Sequence, residues 1–273
     1  MRFAGRTHPG RRGGQNEDSI GWSEPEQLWF VADGMGGHAS GDVASRVVKE
    51  TLLGSALTLP LSAAIMKAHA AVAAAAESNT AHNNMGSTVV AARIADRQAQ
   101  VAWVGDSRAY LWRGQALRQL TRDHSFLEIL REQEQLSESQ LRGHPHRNLV
   151  TQTLGIGAPQ PSSVSEPLRR RDWLLLCSDG LNDELEDREI ADTLRSQTTP
   201  EGAAAALVDA ALARGGRDNV SAIVVEYDGP DGVSFGGALE LTLGQRARGW
   251  MPIVGGVLAA LLLAALWWRS FGR

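Results

Sequence analysis

The sequence predicts an α+β fold, with antiparallel sheets flanked by helices and one apolar helix at the C-terminal end. Three observations lead there. Apolar runs of strand length arrive in consecutive blocks rather than in strict alternation with helical segments, which argues against a doubly wound parallel sheet. Alanine- and leucine-rich stretches of helical length lie between those blocks. Residues 250–268 carry no charged side chain.

In chain order, Leu28–Ala32 is a short apolar run ending in Asp-Gly, as a buried strand does. Helices are expected at Gly41–Leu57 and Leu61–Ser78, the second containing the strong helix former Ala70–Ala76. Thr88–Ile94 is a second apolar run, and Ala99–Val104 alternates and ends in Gly-Asp. Tyr110–Trp112 followed by Arg113-Gly114-Gln115 reads as a hairpin turn. Trp173–Cys177 ends in Ser-Asp-Gly, Pro200–Ala213 is helical, and Val220–Tyr227 closes the domain. Residues 1–228 are then the working domain, 229–249 a Gly-containing linker, 250–268 a transmembrane helix and 269–273 a short tail. There is no internal repeat at solenoid periods.

A chain of 273 residues with 43% hydrophobic content can bury a sizeable core without staples. The net charge of −4 and scattered basic residues exclude nucleic acid as a partner. The one basic run, Arg169-Arg170-Arg171, reads as a solvated strand entry. Cys177 is the single cysteine, so no intrachain disulfide forms, which suits a reducing compartment. It sits in an apolar run and reads as a small buried hydrophobe. The N-terminus develops no apolar run and is not a secretory signal, so the domain is expected in the cytoplasm.

As a helix, residues 250–268 would span roughly 28 Å, close to the hydrocarbon thickness of a bilayer. Trp250 at one end and Trp267 and Trp268 at the other fit aromatic belts. Arg246 and Arg248 precede the run and Arg269 and Arg273 follow it, so charge does not set orientation. The expected place is the cytoplasmic membrane, single-pass, with the domain in the cytoplasm. A buried or interfacial helix is the competing reading; no polar face interrupts the run to favour it.

Acidic residues recur where apolar strands stop: Asp33, Asp106 and Asp179 each stand beside a glycine. Asp18 precedes a strand and Asp218 precedes the last one. Clustered carboxylates repel one another unless cations lie between them. Hard oxygen ligands favour Mg²⁺ or Mn²⁺, and a pair of such ions can direct water at a phosphorus atom. A single Asp-Gly is ordinarily a turn. Recurrence across one domain points to hard-metal hydrolysis, although spacing alone defines no site.

Longer motifs sharpen this. Arg11–Ser19 reads RRGGQNEDS, and Val31–Ser45 reads VADGMGGHASGDVAS. Gly86-Ser87-Thr88, Val104–Tyr110 (VGDSRAY), Leu120–Ser125 (LTRDHS), Leu176–Leu181 (LCSDGL) and Arg217–Ser221 (RDNVS) follow. In this order, over residues 5–228, the chain resembles the bacterial PP2C-type (PPM) protein phosphatases. The resemblance implies a four-layer α-β-β-α sandwich with two or three Mn²⁺ or Mg²⁺ ions at one end. It implies that Asp33 bridges two metals and that the Gly34 carbonyl binds one of them. Asp179 and Asp218 would complete the other shell, with Glu17 and Asp18 beside the second ion. Because strand neighbours point to opposite faces, only one of that last pair would reach the ion directly. Asp106 matches a third-metal position shared with Asp179.

The implied reaction is hydrolysis of phosphoserine and phosphothreonine on proteins by activated water. His38 is a candidate general acid, on sequence proximity, with a metal-bound water an equal candidate and loop capping as the plainer role of His38. The family's phosphate-binding arginine falls on Gly13, so Arg11 or Arg12 would have to replace it. Phe126–Arg147 matches the family's flap, expected to be mobile; its His144 and His146 read as exposed side chains rather than a metal pair. By family analogy the partners are phosphorylated proteins and a cognate serine/threonine kinase, with the membrane engaged through the C-terminal helix. Two rivals are weaker. A nucleotide-binding loop at Gly34–Gly41 lacks the Gly-Lys-Ser/Thr ending. A membrane-anchored pseudophosphatase rests only on Gly13.

Overall fold

The computed structural model describes residues 1–36, 40–55, 59–79, 84–133, 144–146 and 149–231. Met1–Gly232 is one compact unit. It is built on two antiparallel sheets. The first has the order β1 (Arg2–His8), β11 (Val220–Glu226), β10 (Trp173–Cys177), β7 (Arg108–Arg113) and β8 (Ala116–Gln119). The second runs β2 (Asp18–Ser23), β3 (Leu28–Met35), β5 (Val89–Ala95), β6 (Gln98–Val104) and β9 (Ser162–Pro167), with β4 (Gly86–Ser87) paired to β3.

The central strands are apolar on both faces because both faces are covered. Trp29 and Val31 of β3 meet Val90, Trp103, Leu111, Leu174, Leu176 and Ile223 between the sheets. Their neighbours Leu28, Phe30 and Ala32 point the other way, onto α1 (Gly41–Leu53) and α2 (Leu61–Ser78) through Val48, Leu52 and Ile65. On β10 the same alternation sends Leu174 and Leu176 inward and Trp173, Leu175 and Cys177 outward. The outward set packs on α5 (Asp187–Arg195) and α6 (Pro200–Arg214), with Ile190, Leu194, Leu207 and Val208. The result is helix, sheet, sheet, helix, as the resemblance implies. Cys177 is fully buried, as expected, and burial pushes its thiol up to about 12.

Most expected elements stand within a residue or two of their predicted bounds. Helix α1 stops at Leu53 rather than Leu57, at a turn through Gly54 and Ser55. Strand β3 runs on through Asp33 to Met35, because β4 supplies partners for Gly34 and Met35. Edge strands β1 and β9, the hairpin strand β8 and the short helices α3 (Phe126–Glu132), α4 (Asp179–Asn182) and α5 were not foreseen as elements. Among the described residues, no helix is long and apolar enough to cross a membrane. The run at 250–268 lies outside the described residues.

Strand register fixes two ends. At one, Arg2 stands opposite Glu226, and Glu226 and Trp112 both pair with Trp173. At the other, His8 meets Val220, Cys177 meets Ala222 and Arg108, and Asp18 meets Asp33. The acidic residues gather at the second end.

Candidate active site

The β2–β3 register puts Asp18 directly across from Asp33. Asp33 is anchored through its backbone: its N–H donates to Thr88 Oγ1 (3.2 Å), and its carbonyl accepts from Thr88 N–H (2.8 Å) and Ser87 Oγ (3.0 Å). Thr88 in turn shares a hydrogen bond with Ser107 beside Asp106 (2.7 Å). The sequence motif Gly-Ser-Thr thus braces one acid and ties it to the next.

Asp18 is clamped from the other sheet. Its Oδ2 accepts from Ser178 Oγ (2.8 Å) and Ser221 Oγ (2.6 Å). Ser221 N–H donates to Ser178 Oγ (3.0 Å), closing the triangle. The other oxygen, Oδ1, is buried with no hydrogen-bond partner, as is Asp179 Oδ1. Asp179 opens α4, directly after N-cap Ser178. Glu17 N–H donates to Asn219 Oδ1 (2.7 Å), drawing the β1–β2 loop against the start of β11.

Two glycines permit this crowding. A Cβ on Gly34 would lie 1.9 Å from the Gly41 carbonyl oxygen, and one on Gly180 would lie 1.9 Å from the Asn219 carbonyl oxygen. Side chains at either point would force the acid-bearing segments apart.

Beside Asp106, His124 holds both polar backbone groups of Gly105. Its N–H donates to the Gly105 carbonyl (2.9 Å), and its Nδ1 accepts from Gly105 N–H (3.2 Å). Its Nε2 shares a hydrogen bond with Ser162 (2.9 Å), and the ring stacks on Trp103. Burial lowers the His124 pKa, keeping Nδ1 free to accept. Arg108 forks onto Asp123 with contacts of 2.6–3.0 Å.

The electrostatics are those of acids crowded out of water. Burial pushes Asp18 up to about 6 despite its two serine donors, with Asp218 and Glu17 adding repulsion. Asp106 rises to about 7, through burial and then Asp123. Asp33 and Asp179 keep partly exposed faces, yet both rise well above the usual carboxylate range. For Asp33 the causes are burial, then Asp18, Asp179 and Asp106; for Asp179 they are burial, then Asp106, Asp183 and Asp218. Glu17 is raised by burial and by Asp42.

This donor set fits hard divalent cations: it is all oxygen, mutually repelling, and leaves buried carboxylate oxygens unpaired. Among the described residues, no three acids, histidines or cysteines already stand at metal-holding spacing. Asp33 and Asp179 share a side-chain hydrogen bond, as two carboxyls do when a proton lies between them in place of a cation. The chemistry of the set decides for the fit.

Of the residues expected in the site, Asp33, Asp179, Asp106, Asp18, Glu17 and Asp218 are brought together, each interacting electrostatically with at least one other. Asp218 is exposed at the rim and caps its neighbour's N–H. Gly34 adjoins them between Asp33 and α1. Arg11 and Arg12 are exposed: Arg11 N–H donates to the Gly216 carbonyl, and Arg12 lies near Glu184, which shares a cavity with Asp106 and Asp179. Gly13 has φ +74°, a backbone that disfavours the family's arginine there. His38 lies outside the described residues. His144 and His146 pack around Phe126, with ring centroids 5.9 and 6.2 Å away, and flap residues 134–143 lie outside the described residues. Sequence reasoning assigned no role to Ser178, Ser221, Asn219, Asp183 or His124. All but Asp183 stood within the quoted motifs, and Asp183 lies one helical turn from Asp179.

The chain, with its strand-end acids gathered at one end of an α-β-β-α sandwich, is a protein serine/threonine phosphatase: it belongs to the protein phosphatase 2C family, whose model matches residues 4–214. It is 37% identical to the serine/threonine phosphatase stp of Listeria monocytogenes, over 82% of this chain and 94% of that one. It is 35% identical to the serine/threonine protein phosphatase PstP of Mycobacterium tuberculosis, over 84% of this chain and 46% of that longer one. Among solved structures, the Mycobacterium tuberculosis phosphatase PstP/Ppp superposes with a TM-score of 0.77 at 33% identity, covering 84% of this chain and 99% of that one. The catalytic domain of PstP in complex with two manganese ions gives 0.74 at 32%, covering 84% and 98%.

Proposed function

We propose that this phosphatase uses two or three Mn²⁺ or Mg²⁺ ions to hydrolyse phosphoserine and phosphothreonine on proteins, tethered to the cytoplasmic membrane by residues 250–268 and opposing a serine/threonine kinase. The observation that carries the metal reading is the buried, unpaired oxygens of Asp18 and Asp179 within a set of acids that repel one another. When bound, the ions supply acidified water as nucleophile and neutralise charge on the phosphoryl oxygens. Asp33 would be the central ligand, with Asp179 and Asp218 holding one ion and Glu17 and Asp18 the other, a reading supported by the register that sets Asp18 opposite Asp33. Asp106 shares the Asp179 side. Ser178 and Ser221 hold one Asp18 oxygen, so the other stays aimed by a fixed carboxylate. Arg12, on the loop before Glu17, is the candidate for the substrate phosphate, and His38 the candidate proton donor.

The test is phosphate release from a phosphothreonine peptide by the full chain with Mn²⁺, with EDTA, and in Asp179→Asn. Turnover that needs Mn²⁺ and disappears in the variant supports the reading. Undiminished turnover in EDTA sinks it. Tethering is tested separately, by whether the chain stays with neutral phosphatidylcholine vesicles after an alkaline wash.

A further inference from the structure

We propose that the end of the sandwich opposite the acidic cluster docks on an anionic lipid surface, through Arg169, Arg170 and Arg171. All three side chains are exposed, and among the described residues the ion pairs nearby are made by other arginines, Arg113 and Arg118. Their turn is pinned to the place where the chain leaves the sandwich. Arg171 N–H donates to the Tyr227 carbonyl (2.8 Å), and Arg170 N–H donates to Asp231 Oδ1 (2.9 Å). Arg97 joins them: its carbonyl accepts from Leu168 N–H (3.0 Å), and its charge acts on Tyr227.

Most acids nearby are already engaged. Arg113 forks onto Asp172, Arg2 pairs with Glu226 (2.5 Å) and the Met1 amino group pairs with Asp228 (3.2 Å), while Asp231 keeps its charge beside the turn and accepts the Arg170 N–H. Counting Arg97 with the three, and setting Asp231 and Asp96, the chain neighbour of Arg97, against them, the turn keeps a net positive charge. The three arginines are thus left as exposed, well-hydrated cations on a chain whose net charge is −4.

Lipid is the occupant favoured by chain continuity. The sequence runs from this same end into the uncharged segment 250–268. Guanidinium groups pair well with phosphate head groups. Strands of seven residues, such as β11, put the acidic end roughly 20 Å further from that surface. Docking would therefore turn the catalytic cleft away from the bilayer, toward protein substrates. The proposal uses the tethering reading only to bring the bilayer close.

The test is energy transfer from a fluorophore on the full chain to head-group-labelled vesicles. Cys177 is fully buried, so a cysteine introduced by Gln98→Cys, beside Arg97, can be labelled selectively; Gln15→Cys reports the acidic end. Vesicles are phosphatidylcholine alone or with about one third phosphatidylglycerol. Each arginine near an anionic surface is worth about fivefold in binding, so three give about 100-fold. Transfer from residue 98 should rise with phosphatidylglycerol and fall back at high salt. It should also fall back in the triple variant Arg169→Gln, Arg170→Gln, Arg171→Asn, where Asn tolerates the positive φ of residue 171. Residue 15 should not respond.

Equal transfer with both vesicle types, equal responses at residues 98 and 15, or an unaffected triple variant overturns the docking face. So does a label that responds only to added RNA. Retention on neutral vesicles with no response to phosphatidylglycerol overturns docking and leaves tethering standing. Binding to anionic vesicles alone, lost in the triple variant, does the reverse.

Discussion

Replacing Ser178 by alanine tests the structure's account of how a metal ligand is aimed. Ser178 is fully buried, donates to Asp18 at 2.8 Å and accepts from Ser221 N–H at 3.0 Å. A hydrogen bond to a charged group contributes about 1.5–3 kcal/mol, and a buried N–H left without a partner costs about 1–3 kcal/mol. Ser221 Oγ still reaches Asp18 at 2.6 Å, so the losses overlap, and we expect Ser178→Ala to cost about 2–4 kcal/mol. For a domain of this size that lowers Tm by about 5–12 °C. Groups that orient a metal ligand typically change affinity 10–100-fold when lost. The Mn²⁺ concentration for half-maximal phosphate release should therefore rise about 10–100-fold, while the rate at saturating Mn²⁺ changes much less. Pairing this with Ser221→Ala should show a coupling of about 0.5–3 kcal/mol, since both hydroxyls serve one oxygen. An unchanged Mn²⁺ requirement together with an unchanged Tm would refute the clamp.

Other predictions are independent of that pair. Gly180→Ala places a Cβ 1.9 Å from the Asn219 carbonyl oxygen; it should cost more than about 3 kcal/mol, read as lost soluble yield or a lower denaturation midpoint. His124→Leu leaves the Gly105 N–H without its acceptor, a loss of about 1–3 kcal/mol. His124→Asn, which keeps an acceptor near Nδ1, should lose less than half as much in urea denaturation. In EDTA-treated protein the folded acids bind protons more tightly than the unfolded ones, so stability falls as pH rises from about 5 to 8, through the values near 6 and 7 of Asp18 and Asp106. Saturating Mn²⁺ should flatten or reverse that slope in a thermal melt series. Restoring the family's arginine by Gly13→Arg should not improve the KM for a phosphopeptide, because φ at this position is +74°.

The strands that were legible are those buried on both faces, since burial on both sides writes a continuous apolar run. Leu28–Ala32 and Trp173–Cys177 are of this kind, each with alternate residues in different cores. Edge strands β1 and β9 carry too many exposed polar residues to leave that signal; β9 reads SSVSEP, with no residue fully buried. Helix α5 shows only Ile190 and Leu194 as buried residues, too short a stripe to read alone. Gly54 marked the end of α1 in plain view, and the apolar residues around it drew the reading past it. In the site, strand-end position picked out Asp33, Asp106, Asp179, Asp18 and Asp218, and the family resemblance added Glu17 and the roles. The serine clamp was beyond sequence reasoning because it joins Asp18 to residues 160 and 203 positions away. The sequence shows a glycine at position 13, and only the structure shows its positive φ, which disfavours an arginine there.

The central claim, that the acidic end is a divalent-metal site built on Asp33, is tested most directly by calorimetric titration of the chelator-stripped full chain with Mn²⁺. Run near pH 6 in buffers of different ionisation enthalpy, it reports both ions bound and protons released. The account predicts at least two ions per chain and a net release of protons, because crowding holds protons on these acids that a cation displaces. It also predicts loss of binding in Asp33→Asn. A folded protein that binds no Mn²⁺, or binds it without proton release and equally well in the variant, would contradict it.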